Sequence, residues 1–185
     1  MLPQFTAGDL LYIGIRAIYW KRRNILNDFG LSIIKGQVME LILKPVPPED
    51  YEAYRVMIDN PNIARMTGSI PHPVDLAFVV ERLETRAKEE AELGNRAERG
   101  IYVGGTLVGG ALYFPSEQNE CEIGYFIGES HWGKGYATKA AEALVRLARE
   151  HGFTGKLVAQ HAKDNPASGR VLEKIGFEVV GESVS

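Results

Sequence analysis

The chain has one cysteine, four histidines and two tryptophans in 185 residues, and it lacks a long uncharged apolar run. A single thiol, Cys121, cannot close an intramolecular disulfide, so a disulfide-stapled scaffold is excluded and a reducing, cytoplasmic compartment is expected. Four scattered histidines without ligand spacing give no metal site. Excess basic charge is missing too. The net charge is -3 and the pI about 5.9, whereas a nucleic-acid binder usually shows a basic face and a domain pI above about 9, so no nucleic-acid partner is expected. The stretch Leu10 to Trp20 is broken by Arg16 and falls short of the ~20 apolar residues that span a bilayer. Its basic cluster Lys21-Arg22-Arg23 follows the apolar stretch, the wrong order for a secretory signal, and a membrane role is disfavoured. Repeats and low-complexity tracts are also missing. What remains, 45% hydrophobic and 24% charged residues, describes one globular domain able to bury a real core.

Charge is uneven along the chain. The first 35 residues set Arg16, Lys21, Arg22, Arg23 and Lys35 against only Asp9 and Asp28. Three readings stand for residues 1–38: an amphipathic surface or membrane-contacting helix, an accessory arm, or a segment translated upstream of the true start. The last is preferred because Met39 directly precedes a clean strand pattern, Glu40 to Lys44. The working division is therefore a basic extension over 1–38 and a domain over 39–185.

Within that domain, Pro47-Pro48-Glu49-Asp50 starts a helix carrying Tyr51, Tyr54, Val56, Met57 and Ile58, which should end near Asn60-Pro61. A second helix is expected from Val74 to Leu93, with Asp75 near its start and Phe78, Val79, Leu83 and Ala87 as its apolar stripe. Ile101 to Val103 and Leu107 to Phe114 read as a hairpin turning at Gly104-Gly105. Strands over 121–128 and 156–161, helices over 135–151 and 165–175, and a strand over 177–180 follow. The alternation predicts an α/β (α+β) fold with crossover helices.

The most informative segment is Ile127-Gly128-Glu129-Ser130-His131-Trp132-Gly133-Lys134-Gly135-Tyr136-Ala137-Thr138, which joins a strand to a helix. Unpaired N–H groups at a helix start, with its positive dipole end, form an anion site. Gly133 and Gly135 permit unusual dihedrals and let a diphosphate approach the main chain, while Ala137 keeps the next turn open. Lys134 adds charge at the rim or is simply solvated. The segment is neither a P-loop, which ends in Lys-Ser/Thr, nor the dinucleotide Gly-x-Gly-x-x-Gly pattern.

Here the sequence resembles the Gcn5-related N-acetyltransferase (GNAT) superfamily, and within it the RimJ/RimL-like branch of ribosomal-protein N-terminal acetyltransferases. Trp132-Gly133-Lys134-Gly135-Tyr136-Ala137 matches the superfamily's Arg/Gln-x-x-Gly-x-Gly/Ala loop with Trp in the first place, a departure common in this branch. Glu122-Ile123-Gly124-Tyr125 resembles the central strand. Asn165-Pro166-Ala167-Ser168, running on to Glu173 through Phe177, resembles the second signature. Asp59-Asn60-Pro61 through Ile70-Pro71-His72-Pro73 is similar to the acceptor-side region. The four matches lie in order and cover about residue 39 onward.

The resemblance implies an acyl-CoA N-acyltransferase fold, a mixed central sheet with splayed parallel strands and helices on both faces. It implies acetyl-CoA as co-substrate, no metal, and a protein acting as monomer or homodimer. Phe126 and Ile127 would contact the pantetheine arm, and the amides of Gly133, Lys134, Gly135, Tyr136, Ala137 and Thr138 would hold the pyrophosphate. Asn165 and Ser168 would lie near the thioester. For direct attack by an amine, Glu122 is the candidate that helps remove the proton, because strand alternation sets Glu120 and Glu122 on one face and Cys121 on the other. The tyrosine acid that many members carry is replaced by Leu172, which leaves Ser168, or water held by Asn165, to protonate the thiolate. Asn165 also fits a helix cap. His72 sits in a proline-rich loop beside the acceptor region.

The favoured acceptor is a protein or peptide N-terminal α-amine. With a pKa of roughly 7.7–8.0 it costs about 1 kcal/mol to deprotonate at pH 7, against about 4 to 5 kcal/mol for lysine. A small amine such as a polyamine, amino acid or aminoglycoside is the alternative, the polycations finding some support in Glu89-Glu90-Ala91-Glu92. A non-catalytic acyl-CoA-binding module is the other. At the end of the chain a shortened sheet is expected, because the fold usually adds a strand after 177–180. The extension over 1–38 could instead supply one.

Overall fold

The computed structural model describes residues 15–20, 31–34, 37–67, 70–117 and 119–183. In chain order the elements are β1 (Ile15–Trp20), β2 (Leu31–Ile34), β3 (Gln37–Lys44), α1 (Tyr51–Ile58), α2 (Pro61–Thr67), α3 (Leu76–Leu93), β4 (Ala97–Val103), β5 (Thr106–Pro115), β6 (Glu120–Ile127), α4 (Tyr136–Glu150), β7 (Lys156–Ala162), α5 (Pro166–Lys174) and β8 (Phe177–Ser183). They form one eight-stranded sheet in the order β2-β3-β4-β5-β6-β7-β1-β8. Among the described residues only β6 and β7 pair in parallel, and α4 makes the crossover between them.

The β4–β5 hairpin turns at Gly104 and Gly105, both with positive φ (56° and 81°), as the glycine pair predicts. Alternation along β4, β5 and β6 splits the apolar residues between two faces. On one face Ile101, Ala111, Tyr113 and Ile123 meet α4, whose Ala140, Ala141, Leu144 and Ala148 form a wholly buried stripe. Emptying such a site, as in Leu144→Ala, typically costs 2–5 kcal/mol. On the other face Tyr102, Leu107 and Phe126 pack under α1, α2 and α3 through Tyr54, Ile58, Ile63, Val79 and Leu83.

Asp75 caps α3 by accepting a hydrogen bond from the Phe78 amide at 2.8 Å, and Gly94 ends the helix in the left-handed region. The first helix stops at Ile58, close to expectation, but Pro61 then opens a second short helix where the sequence reading placed no element. Proline at a helix start is a common device, since its missing N–H would have had no intrahelical partner. Asn60 supports this turn by accepting a hydrogen bond from the Asn62 amide at 2.8 Å.

The largest departure from expectation concerns the first segment. Ile15–Trp20 is a strand, not an amphipathic helix, and it lies between β7 and β8, antiparallel to both. Residues 10–14 and the Lys21-Arg22-Arg23 cluster lie outside the described residues. β8 extends to Ser183, three residues further than the sequence pattern suggested. Instead of a shortened sheet, the region before Met39 provides β1 inside it, the alternative left open for residues 1–38, and it also forms β2 and the start of β3 at the other edge.

Candidate active site

The parallel pairing of β6 with β7 runs from Glu120↔Lys156 to Ile123↔Ala159 and no further. Among the described residues no strand pairs with the β7-facing edge of β6 beyond Ile123, so the main-chain groups on that edge between Gly124 and Ile127, apart from the Ile127 carbonyl, are open to another partner. The opening leads into a cavity of about 930 Å³ that reaches Glu122, Gly124 to Ile127, the turn from His131 to Thr138, Gln160, His161, Asn165 and Ser168. Phe126 and Ile127, both under a tenth exposed, lie along this opening. Phe126 is fixed by an edge-to-face contact with Tyr54 at 5.6 Å between ring centroids.

At the head of α4, Gly133 and Gly135 have φ of 75° and 77°. No atom lies within 4 Å of where a Cβ would stand on either, so the glycines answer a backbone requirement and leave a shallow cradle open. Gly135 is the N-cap and offers no side-chain cap. The first helical amide to reach a carbonyl is that of Lys139, on Gly135 O at 3.4 Å, which leaves the amides of Tyr136, Ala137 and Thr138 for an outside acceptor. The residues present therefore fit a diphosphate. Trp132, in the place of the usual polar residue, donates its indole N–H to the Ile127 carbonyl at 2.6 Å and ties the turn back to the strand end. Lys134 Nζ bonds the Ser130 carbonyl at 3.2 Å, at the exposed rim.

Glu122 sits on the cavity side of β6, as alternation predicts. Burial raises its carboxyl pKa, partly offset by a hydrogen bond from Gln160 at 3.3 Å. Glu120, by contrast, is taken up in an ion pair with Lys156 at 3.2 Å. Cys121 faces the core, and burial pushes its thiol up to about 11, which removes it as a nucleophile at neutral pH. Asn165 caps α5, accepting from the Ser168 amide at 3.2 Å, while its Nδ2 reaches Met66 Sδ at 3.2 Å. Ser168 Oγ lies 3.2 Å from the Tyr125 hydroxyl. Burial pushes that phenol up to about 12, so it stays protonated. Leu172 is buried in the core, in keeping with the absence of a tyrosine acid there.

α2 roofs the cavity and is tied to both its sides. Asn60 donates to Glu129 at 2.6 Å beside the α4 turn, and Arg65 pairs with Asp164 before α5. His72 is held by Asp59 at 3.0 Å, and Asp59 also accepts the Val74 amide at 2.9 Å, so this histidine braces the loop before α3 and lies outside the cavity lining. The acidic stretch of α3 presents no unpaired carboxylates: Glu89 meets Arg86 and Arg96 at 2.8 and 3.3 Å, Glu90 meets Arg99 at 2.6 Å, and Glu92 meets Lys88 at 3.9 Å.

Sequence reasoning missed several residues that line the cavity, notably Arg82, Glu98, Tyr125 and His161. Glu98 is charged at a position that strand periodicity assigns to the buried face, and that conflict was the available signal. His161 is buried, with Nδ1 2.9 Å from the Ala162 carbonyl and Gly169 packed against its Nε2.

A sheet that splits beside a helix start with an open glycine turn defines a protein built to hold an acyl carrier by its amide arm and diphosphate. The acetyltransferase (GNAT) domain family model matches residues 40–178, and the chain belongs to that family. Among its relatives are an uncharacterized N-acetyltransferase, YjdG, of Bacillus subtilis and the ribosomal-protein-serine acetyltransferase of Escherichia coli. YjdG is 39% identical over 75 residues, 40% of this chain and 43% of that protein. The E. coli protein is 37% identical over 60 residues, 32% of this chain and 34% of that protein, in line with the RimJ/RimL-like branch expected. The matches thus span less than half the length of these curated relatives. Similar solved structures include a probable acetyltransferase (TM-score 0.66, 25% identity, covering 76% of this chain and 80% of the other). Another is AAC(6')-Ib in complex with paromomycin and acetyl-CoA (TM-score 0.63, 19% identity, covering 76% and 84%). Among the described residues no helix is long and apolar enough to cross a membrane, and no cluster of side chains could hold a metal ion.

Proposed function

We propose that the protein is an acetyl-CoA-dependent N-acetyltransferase acting on a primary amine, with a peptide or protein N-terminal α-amine as acceptor, in a cytoplasmic setting. The observation that carries this reading is the continuity of the split β6–β7 edge with the glycine turn of α4 inside one cavity. When bound, acetyl-CoA supplies an activated thioester. Main-chain groups of Gly124 to Ile127 pair with the amide-bearing arm as with an added strand, and the amides from Gly133 to Thr138 hold the diphosphate. Lys134 adds charge at the rim.

Glu122 accepts the amine proton, directly or through water. Its raised pKa suits it, since a stronger base than an ordinary carboxylate closes part of the gap to an α-amine. Ser168 donates a proton to the departing thiolate and recovers one from solvent water, while the Tyr125 hydroxyl 3.2 Å away, which stays protonated, holds its Oγ in position. Asn165 keeps the start of α5, and with it Ser168, in place. The domain responsible spans 39–185, with β1 supplied from the preceding segment. The test is thiol release from acetyl-CoA against a panel of peptides and small amines. Turnover on α-amines supports the reading, and tight cofactor binding without turnover on any acceptor replaces it with a binding module.

A further inference from the structure

The far end of the cavity from the α4 turn is built around two charges that the acetyl-transfer chemistry does not use. Arg82 of α3 and Glu98 of β4 both line it. The Arg82 side chain is 11% exposed and that of Glu98 only 1%. Arg82 donates its Nε–H to Glu98 Oε1 at 2.9 Å, and the Tyr54 hydroxyl donates to the same oxygen at 3.0 Å. Glu98 Oε2 is buried with no hydrogen bond, and Arg86 Nε stands 3.8 Å away. Among the described residues, Arg82 Nη1 and Nη2 have no hydrogen-bond partner. A guanidinium gripped through Nε presents the fork of its two terminal nitrogens, which matches a carboxylate bidentately.

The charges around this fork do not cancel. Arg82, Arg86 and Arg96 face Glu89 and Glu98 through the ion pairs that link them, leaving one cation in excess. At the other end stands Glu122. Register places Glu98 opposite Leu112, and Leu112 opposite Gly124, two residues along β6 from Glu122. From strand spacing and rise, the two glutamate Cα atoms are therefore roughly 12 Å apart. Their side chains share one face of the sheet. The floor between them is Leu112 and side-chain-free Gly124, and Ile63 and Ile70 line the same space. The cavity thus carries the Glu122 carboxylate at one end, an apolar middle, and at the other the Arg82–Glu98 pair, in which the terminal nitrogens of the guanidinium stay unpaired.

We infer that this protein selects acceptors bearing a carboxylate, which Arg82 binds through its terminal fork while the reacting amine lies toward Glu122, Glu98 and Tyr54 holding the guanidinium in position. The inference rests on the acetyltransferase reading and narrows its acceptor class. The carboxylate comes either from the α-carboxyl of a short peptide, a dipeptide spanning at most about 7 Å, or from an acidic side chain next to the N-terminus of a longer one.

The test uses four acceptors with the same first residue: a dipeptide acid, its carboxamide, a C-terminally amidated tetrapeptide with Glu in second place, and its Gln counterpart. Each is titrated into the full chain saturated with CoA and, separately, assayed for turnover with acetyl-CoA. A preference of about tenfold or more for one carboxylate over its neutral twin is expected, and the pair that shows it identifies the source. In the double variant Arg82→Met/Glu98→Gln, which leaves neither charge behind, the preference should fall to within about twofold. The variant's CoA affinity and unfolding midpoint report that it is folded, and Arg82→Lys, which keeps charge without the fork, should show an intermediate preference. No preference in the unaltered protein, or a preference that survives the double variant, overturns the inference whether or not acetyl transfer occurs. A preference without turnover overturns acetyl transfer and leaves the carboxylate site standing.

Discussion

Replacing Gly135 with alanine separates two roles that a glycine turn can play, keeping the helix start in shape and admitting the cofactor. Gly135 has φ of 77° and nothing within 4 Å of its missing Cβ, so alanine there meets no clash in the free protein. It pays only the left-handed backbone cost, about 1–2 kcal/mol. At 2–4 °C per kcal/mol for a chain of this size, the unfolding midpoint should drop by roughly 2–8 °C. Gly94, at the end of α3, has φ of 64° and the same empty surroundings but lies outside the cavity lining, so Gly94→Ala is a matched control for strain. The difference should appear in binding. A methyl group at 135 stands where the diphosphate must approach the amides of Tyr136 to Thr138. Losing one charge-assisted hydrogen bond, about 1.5–3 kcal/mol, weakens binding by roughly 10-fold to 150-fold, and losing a second multiplies that again. Calorimetric titration with CoA and with pantetheine, which lacks the diphosphate, reads this directly. Gly135→Ala should lose CoA affinity while pantetheine affinity stays, and Gly94→Ala should lose neither. Equal CoA affinities for the two variants would show that the turn does not hold the diphosphate.

Glu122 gives a pH signature in activity and in stability. As a base with a raised pKa it should place the acid limb of kcat/KM above the ordinary carboxylate range, and Glu122→Gln should slow the reaction and remove that limb; an unchanged profile takes Glu122 out of the mechanism. For stability, the folded protein binds this proton more tightly than the unfolded chain, so the group costs stability as pH rises from about 4.3 through the folded pKa. Glu122→Gln should therefore unfold at a higher temperature than the parent at pH 7 and lose that advantage near pH 4, and a variant less stable at pH 7 refutes the sign. Ser168→Ala should lower kcat about tenfold with CoA affinity retained, and adding Tyr125→Phe should lower it no further if the two hydroxyls act as one unit. Additive losses would separate them. A chain beginning at Met39 loses β1, which is in register with five residues of β7 and six of β8, and also β2 and the first two residues of β3, and should lose several kcal/mol or associate through the exposed edges; an unfolding midpoint equal to the parent's refutes a structural part for the segment.

What was legible in the sequence was local. The hairpin at Gly104-Gly105 and the turn at Gly133-Lys134-Gly135 announce themselves because positive φ is rare and glycine supplies it. Glu122 and Cys121 were sorted to opposite faces by alternation alone. A strand from residues 1–38 was only an open alternative and its position was not legible, since six residues of the pattern Ile-Arg-Ala-Ile-Tyr-Trp fit a strand as well as an amphipathic helix. What decides between them is the space between β7 and β8, more than a hundred residues away in the chain. α2 was hidden for a related reason, because a seven-residue helix beginning at proline has too few turns to show periodicity.

The two halves of the cavity differ in how they encode recognition, and this explains why one could be read and the other could not. The cofactor half relies on backbone: an unpaired strand edge and a row of helix-start amides, set by glycines adjacent in sequence. Main-chain groups are the same in every residue, so they suit a ligand shared by a whole family. The acceptor half relies on side chains brought together from distant elements. Arg82 from α3, Glu98 from β4 and Tyr54 from α1 meet only once the sheet is covered, and none has a neighbour in sequence that marks it. A buried Glu98 oxygen without a hydrogen bond is costly, and a charge of that kind is kept where another group depends on it. Here the group beside it is the Arg82 guanidinium, and in the acceptor selection proposed above its terminal fork is what distinguishes one amine from another.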